Sequence, residues 1–165
     1  MECRGVKLVI LILLLASLAG CMNEVKTDRS ETPAHGISYL ALGDSYTIGE
    51  SVPDTLRWPV QLAGELRQAG VSVADPVIIA RTGWTTGELI EGISNEGITG
   101  VFDMVSLLIG VNNQYRHRDP EVFRKEFKEL LGIAESFCRT SNRKVFVLTI
   151  PDWGVTPFAS GRDIA

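Results

Sequence analysis

The sequence predicts an α/β domain built on a parallel sheet, and three observations carry that prediction. Short, continuously apolar runs alternate along the chain with stretches whose apolar residues recur at helical spacing. The apolar runs are not polar on alternate residues, as strands covered on both faces are not. Each run is followed by a loop rich in glycine or polar residues. In a sheet of this kind ligands bind outside the carboxyl ends of the strands, so those loops are where chemistry is sought.

The elements follow in order. Ile37 to Leu42 (ISYLAL) is a short apolar run ending at Gly43, and reads as a strand. Pro59 opens a helix, where its missing N–H costs nothing. Val60, Leu62, Ala63, Leu66 and Ala69 are its stripe and Gly70 its stop. Pro76 to Ala80 (PVIIA) reads as a second, buried strand. Thr85 and Glu88 have the spacing of a capping box for a shorter helix. Val101 to Ile109 is the third strand. Asp119-Pro120 is a cap and first-turn pair for a long helix striped by Phe123, Phe127, Leu130, Ala134 and Phe137. Lys144 to Ile150 is the fourth strand, stopped by Pro151.

Composition narrows the function. The chain has 165 residues, enough for one domain, with 45% hydrophobic and 22% charged residues. Net charge is −4, and no Lys/Arg block stands out, so nucleic acid is not an expected partner. There is no Walker glycine–lysine pattern, no GxSxG elbow, no metal-ligand cluster and no CxxC. No metal and no cofactor are expected.

The amino end reads as an export signal. Arg4 and Lys7 precede an apolar core, VILILLLASLA, too short and too closely followed by polar residues for a membrane-spanning helix. It ends in Leu18-Ala19-Gly20-Cys21, which resembles the bacterial lipobox. The resemblance implies cleavage before Cys21, a lipid on its sulfur and a membrane-anchored protein of the bacterial cell envelope. Residues 1–20 are then signal peptide, 21–36 a flexible polar tether, and 37–165 the domain. Cys3 would leave with the signal, and Cys138, on an apolar helical face, reads as core.

The loops after the strands hold Gly43-Asp44-Ser45, Thr82-Gly83-Trp84, Gly110-Val111-Asn112-Asn113 and Pro151-Asp152-Trp153. Ser45 suits a nucleophile, which needs a base to take its proton. Acyl transfer also needs donors aimed at the developing oxyanion. The backbone N–H of Gly83, the side-chain amide of Asn112 and the N–H of Ser45 are candidates. Asp44 reads as a residue that holds its loop. Trp84 and Trp153 adjoin the site loops and are candidates for the substrate pocket; Trp58 reads as packing.

Gly43-Asp44-Ser45-Tyr46, then Gly83, then Gly110-Val111-Asn112 resemble the first three blocks of the SGNH, or GDSL, hydrolases. LALGDSYTIGE, TGWTT and IPDWGVTPF extend the resemblance over most of residues 37–158. It implies a flavodoxin-like three-layer fold and hydrolysis of a small-molecule ester, acyl or acetylated-glycan substrate, with Ser45 as nucleophile and Ser45, Gly83 and Asn112 as oxyanion donors. Tyr46 replaces the family's usual leucine, and Asn113 stands where many members have aspartate, which bears on local hydrogen bonding. The family's catalytic histidine belongs to an Asp-x-x-His block, and the sequence contains none. The expectation is therefore an incomplete domain, without its last strand and helix, and impaired turnover; the alternatives are a non-catalytic lipid-anchored binding protein and a non-functional truncated product. Of the two histidines, His35 lies in the tether and His117 in a turn flanked by Arg116 and Arg118, so neither is expected to act as base.

Overall fold

The computed structural model describes residues 36–139, 145–150, 152–157 and 160. The signal and lipidation readings at residues 1–35, with Cys21, lie outside the described residues. Four parallel strands form one sheet: β1 (Tyr39–Gly43), β2 (Val77–Ala80), β3 (Met104–Leu108) and β4 (Val145–Val147), in the spatial order β2-β1-β3-β4. Between them run α1 (Ser45–Ile48), α2 (Trp58–Gln68), α3 (Thr86–Glu96), α4 (Val111–Tyr115) and α5 (Pro120–Ser136).

Residue parity along the central strands assigns the two faces of the sheet. Leu40 and Leu42 of β1, with Val105 and Leu107 of β3 and Ile79 of β2, pack against Leu89 and Ile93 of α3 and Leu130 and Ala134 of α5. Tyr39 and Ala41 point the other way, onto Ala63 and Leu66 of α2. The result is a three-layer α/β/α sandwich in which β1, buried along its whole length, is the central strand. Cys138 packs in the larger core as expected, but it lies past the end of α5, in a bridge to Phe102, and not on a helical face. Tyr39 carries its hydroxyl into the smaller core and bonds it to Ser106 Oγ at 2.8 Å; burial pushes its pKa up to about 12.

Local chemistry explains the helix boundaries. Gly70 follows the end of α2 at φ +83°, a left-handed position that suits glycine. Thr85 and Glu88 make both bonds of a capping box at the start of α3. Asp119 caps α5 by accepting from the Glu121 N–H, with Pro120 in the first turn.

The structure also departs from the sequence reading. The sequence predicts a buried PVIIA strand, but β2 lies at an edge of the described sheet and only Ile79 of it is buried. Leu62 and Ala69, placed on the apolar stripe of α2, face solvent, so the buried seam of that helix is Pro59, Ala63 and Leu66. Ser45 and Asn112, assigned to loops, open or lie in the short helices α1 and α4. Four- and five-residue helices show no repeat of the 3.6-residue period, which is why apolar spacing did not reveal them.

Leu40, fully buried at the centre of the larger core, is the natural probe of this packing. Leu40→Ala should destabilise the fold by about 2–5 kcal/mol in urea-induced unfolding, through lost transfer energy and the cavity left behind.

Candidate active site

The strand ends align the candidate residues. Gly43 at the end of β1 lies beside Ala80 of β2 and Leu108 of β3, so the three following segments leave the sheet side by side. Gly43 has no room for a side chain. A Cβ there would lie 2.1 Å from Thr47 Oγ1 and 2.5 Å from the Leu108 carbonyl oxygen. The glycine thus lets the first turn of α1 fold down against the sheet.

Asp44 then caps α1, its Oδ1 accepting from the Tyr46 N–H at 3.0 Å. This carboxylate is fully buried, and Oδ2 finds no partner among the described residues. Burial is the main cause that raises the Asp44 pKa to about 6, against the lowering effect of the Tyr46 N–H. Asp44 is therefore the loop-holding residue expected from sequence.

Ser45 follows, half-buried, at the first position of α1. Ser45, Tyr46, Val111, Asn112, Tyr115, Trp153 and Thr156 line one cavity of about 350 Å³. Nucleophile candidate, amide candidate and one of the two candidate pocket tryptophans are thus brought together. Tyr115 and Trp153 meet edge to face, with ring centroids 5.5 Å apart. Trp84 goes elsewhere: its ring packs in the core between sheet and α3, against Gly92, where a Cβ would stand 2.2 Å from the ring. It is a packing residue, a correction to the expectation that it walls the pocket; Trp58 packs in the smaller core.

Gly83 occupies the third position of a turn closed by the Trp84 N–H on the Arg81 carbonyl at 3.2 Å, with φ +83°. That conformation is the one a type II turn demands of its third residue, hence glycine. Gly83 does not line the cavity of Ser45. It is tied to that cavity through α4, whose Asn112 Nδ2 donates to the Trp84 carbonyl at 2.9 Å. A primary amide has two N–H groups, and the bond to Trp84 uses one of them.

Sequence reasoning missed how much Asn113 does. Its Oδ1 accepts from the Thr86 N–H at 3.0 Å, and its Nδ2 donates to Thr86 Oγ1 at 2.7 Å. The Thr86 hydroxyl in turn donates to Glu126 of α5. Asn113 is buried with both its side-chain oxygen and nitrogen hydrogen-bonded, and as an amide it both accepts and donates, which an ionised aspartate could not do. Its place beside Asn112 in the third block was the available signal. His117 is exposed, at φ +50°, and lines a different cavity with Gly110, Phe123 and Ile150.

The match to a known family now joins this geometry. Residues 41–164 fit the model of the GDSL-like lipase/acylhydrolase family. The chain belongs to that family. As a GDSL-like chain it is similar in fold to AlinE4, an SGNH-hydrolase family esterase, with a TM-score of 0.56 and 20% identity over 68% of this chain and 58% of that one. It is similar to TesA, with a TM-score of 0.60 and 18% identity over 73% of this chain and 65% of that one. It is likewise similar to the psychrotrophic esterase EstA from Pseudoalteromonas sp., with a TM-score of 0.55 and 15% identity over 69% and 61% of the two chains. The GDSL-like chain thus spans about three-fifths of the length of these structures. No curated protein matches it.

Two outcomes test the site's construction. Gly43→Ala should unfold the protein at a lower urea concentration, by about 1–3 kcal/mol, since the new methyl meets a strand carbonyl that cannot move aside. Asp44 sets a pH dependence. Its folded pKa of about 6 exceeds the ordinary value of 3.8, so its contribution is fully present below pH 3.8 and is lost as pH rises through 6. Asp44→Asn should flatten the change in thermal stability across that window.

Proposed function

We propose that this domain is a serine esterase of small-molecule carboxylic esters, attacking through Ser45. The reading rests above all on the shared cavity of Ser45 and Asn112 in a GDSL-like fold. Ser45 Oγ bonds to the ester carbonyl carbon while the carbonyl π pair moves onto oxygen and the hydroxyl proton passes to a base. The tetrahedral adduct collapses, the C–O bond breaks, and the leaving alkoxide takes a proton to depart as an alcohol. Water then attacks the acyl-serine by the same steps, releasing a carboxylic acid and restoring Ser45.

The oxyanion would be met by the free Asn112 N–H and the backbone N–H of Ser45, with Gly83 as the third donor. The Ser45 and Gly83 N–H groups donate to no protein acceptor among the described residues. The aromatic wall of Tyr115 and Trp153 suits the acyl or alcohol part of a small ester, or an acetylated sugar ring.

The base is the slow point. His117 lines a separate cavity, and His35 lies outside the described residues. Without a histidine on Ser45, turnover by these 165 residues is impaired. A second reading, a binding protein for an ester, acyl chain or glycan, draws on the same observation: a formed cavity of about 350 Å³ with no histidine among the described residues that line it. We place the protein in the bacterial cell envelope, held at a membrane by a lipid on Cys21, on the strength of the LAGC sequence.

A fluorophosphonate probe is expected to label the chain at Ser45, more slowly than it labels a family member carrying the Asp-x-x-His block. Ser45→Ala should abolish labelling, and Asn112→Ala should slow it by about 10²-fold. Labelling that persists in Ser45→Ala would remove Ser45 from the mechanism. Labelling as fast as in the histidine-bearing member would show that a base other than that histidine serves.

A further inference from the structure

A basic side chain outside the expected site residues makes the shortest polar contact to the Gly83 peptide. Arg116 caps the carboxyl end of α4, one helical turn beyond Asn112 and on the same face. Its Nη2 donates to the Gly83 carbonyl at 2.6 Å, and its Nη1 reaches both carboxylate oxygens of Glu88 at 3.2 Å. Glu88 is itself fixed, because its carboxylate accepts from the Thr85 N–H and hydroxyl in the capping box of α3. These bonds to Thr85 and Arg116 also hold the Glu88 carboxyl below the usual carboxylate range. The guanidinium therefore bridges a rigid helix start and one peptide oxygen.

The turn it touches needs such an anchor. Glycine at 83 has the widest backbone freedom of any residue, and only one of its conformations, at φ +83°, is the one observed. Successive residues are held from outside. Thr82 donates its hydroxyl to Glu50, the Gly83 carbonyl accepts from Arg116, and the Trp84 carbonyl accepts from Asn112. Two of these three restraints come from α4 and the residue that caps it, and α4 also lines the cavity of Ser45.

We infer that Arg116 is a positioning residue for ester hydrolysis: by holding the Gly83 carbonyl it fixes the Gly83–Trp84 peptide and so restrains the turn whose preceding peptide carries the Gly83 N–H, the candidate oxyanion donor. This rests on the esterase reading above. The side chain is not among the residues lining the cavity of Ser45 and acts through the Gly83–Trp84 peptide. Arg116 is about 38% exposed, so its ion pair with Glu88 contributes little to global stability, and its effect should be local.

The test uses the full chain with two readouts, Ser45 labelling by a fluorophosphonate and hydrogen exchange of the Trp84 amide that closes the turn. Arg116→Ala should speed Trp84 exchange and lower the maximal labelling rate roughly tenfold, while the half-saturating probe concentration and the melting temperature stay close to wild type. Arg116→Lys, which keeps one charged donor, should recover most of both. Unchanged exchange and labelling in Arg116→Ala would overturn the proposal, as would a loss that lysine does not repair. If the wild-type chain takes no label, the esterase reading fails and the exchange arm decides alone: faster exchange in the alanine variant, repaired by lysine, upholds the clamp, and unchanged exchange sinks it.

Discussion

The site depends on one close approach. At Gly43 the end of β1 lies so near Thr47 and the Leu108 carbonyl that no side chain fits between them. Because the first turn of α1 is seated there, Ser45 is presented on a rigid helix start rather than a mobile loop. The central strand is buried throughout, so this seat is backed by both hydrophobic cores. The fold spends a buried, half-satisfied carboxylate at Asp44 to finish the turn, an arrangement typical of positions where function outranks stability.

The second organising feature is the short helix α4. Its consecutive residues Asn112 and Asn113, with Arg116 one turn on, bond to Trp84, Thr86 and Gly83. These bonds knit the segments after β2 and β3 into one wall. Asn112 serves that wall with one N–H, and its side chain lines the same cavity as Ser45. A side chain restrained in this way gives up little rotamer entropy when a ligand arrives, which is what a preorganised donor requires.

Much of this was legible in the sequence. Continuous apolar runs identified the four strands, and Pro59, Gly70, Asp119 and the Thr85–Glu88 pair located helix ends, because capping chemistry is local. Gly43, Ser45 and Asn112 were visible as a spaced set. What was not legible depended on partners distant along the chain. The inward turn of Trp84 depends on Gly92 and the core, and the work of Asn113 on Thr86, 27 residues away. The role of Arg116 needs both Gly83 and Glu88 to be near it in space. The edge position of β2 follows from strand order, which apolarity alone does not encode.

The seating of Trp84 on Gly92 has a consequence for how such a domain can vary. Glycine inside a helix costs about 1 kcal/mol relative to alanine, and Gly92 lies in the middle of α3. The burial of the indole offsets that cost, so the two positions form a single volume shared by one large and one absent side chain. Neither can drift alone: a larger residue at 92 collides with the ring, and a smaller one at 84 leaves a void. Across related sequences, positions 84 and 92 should covary in size.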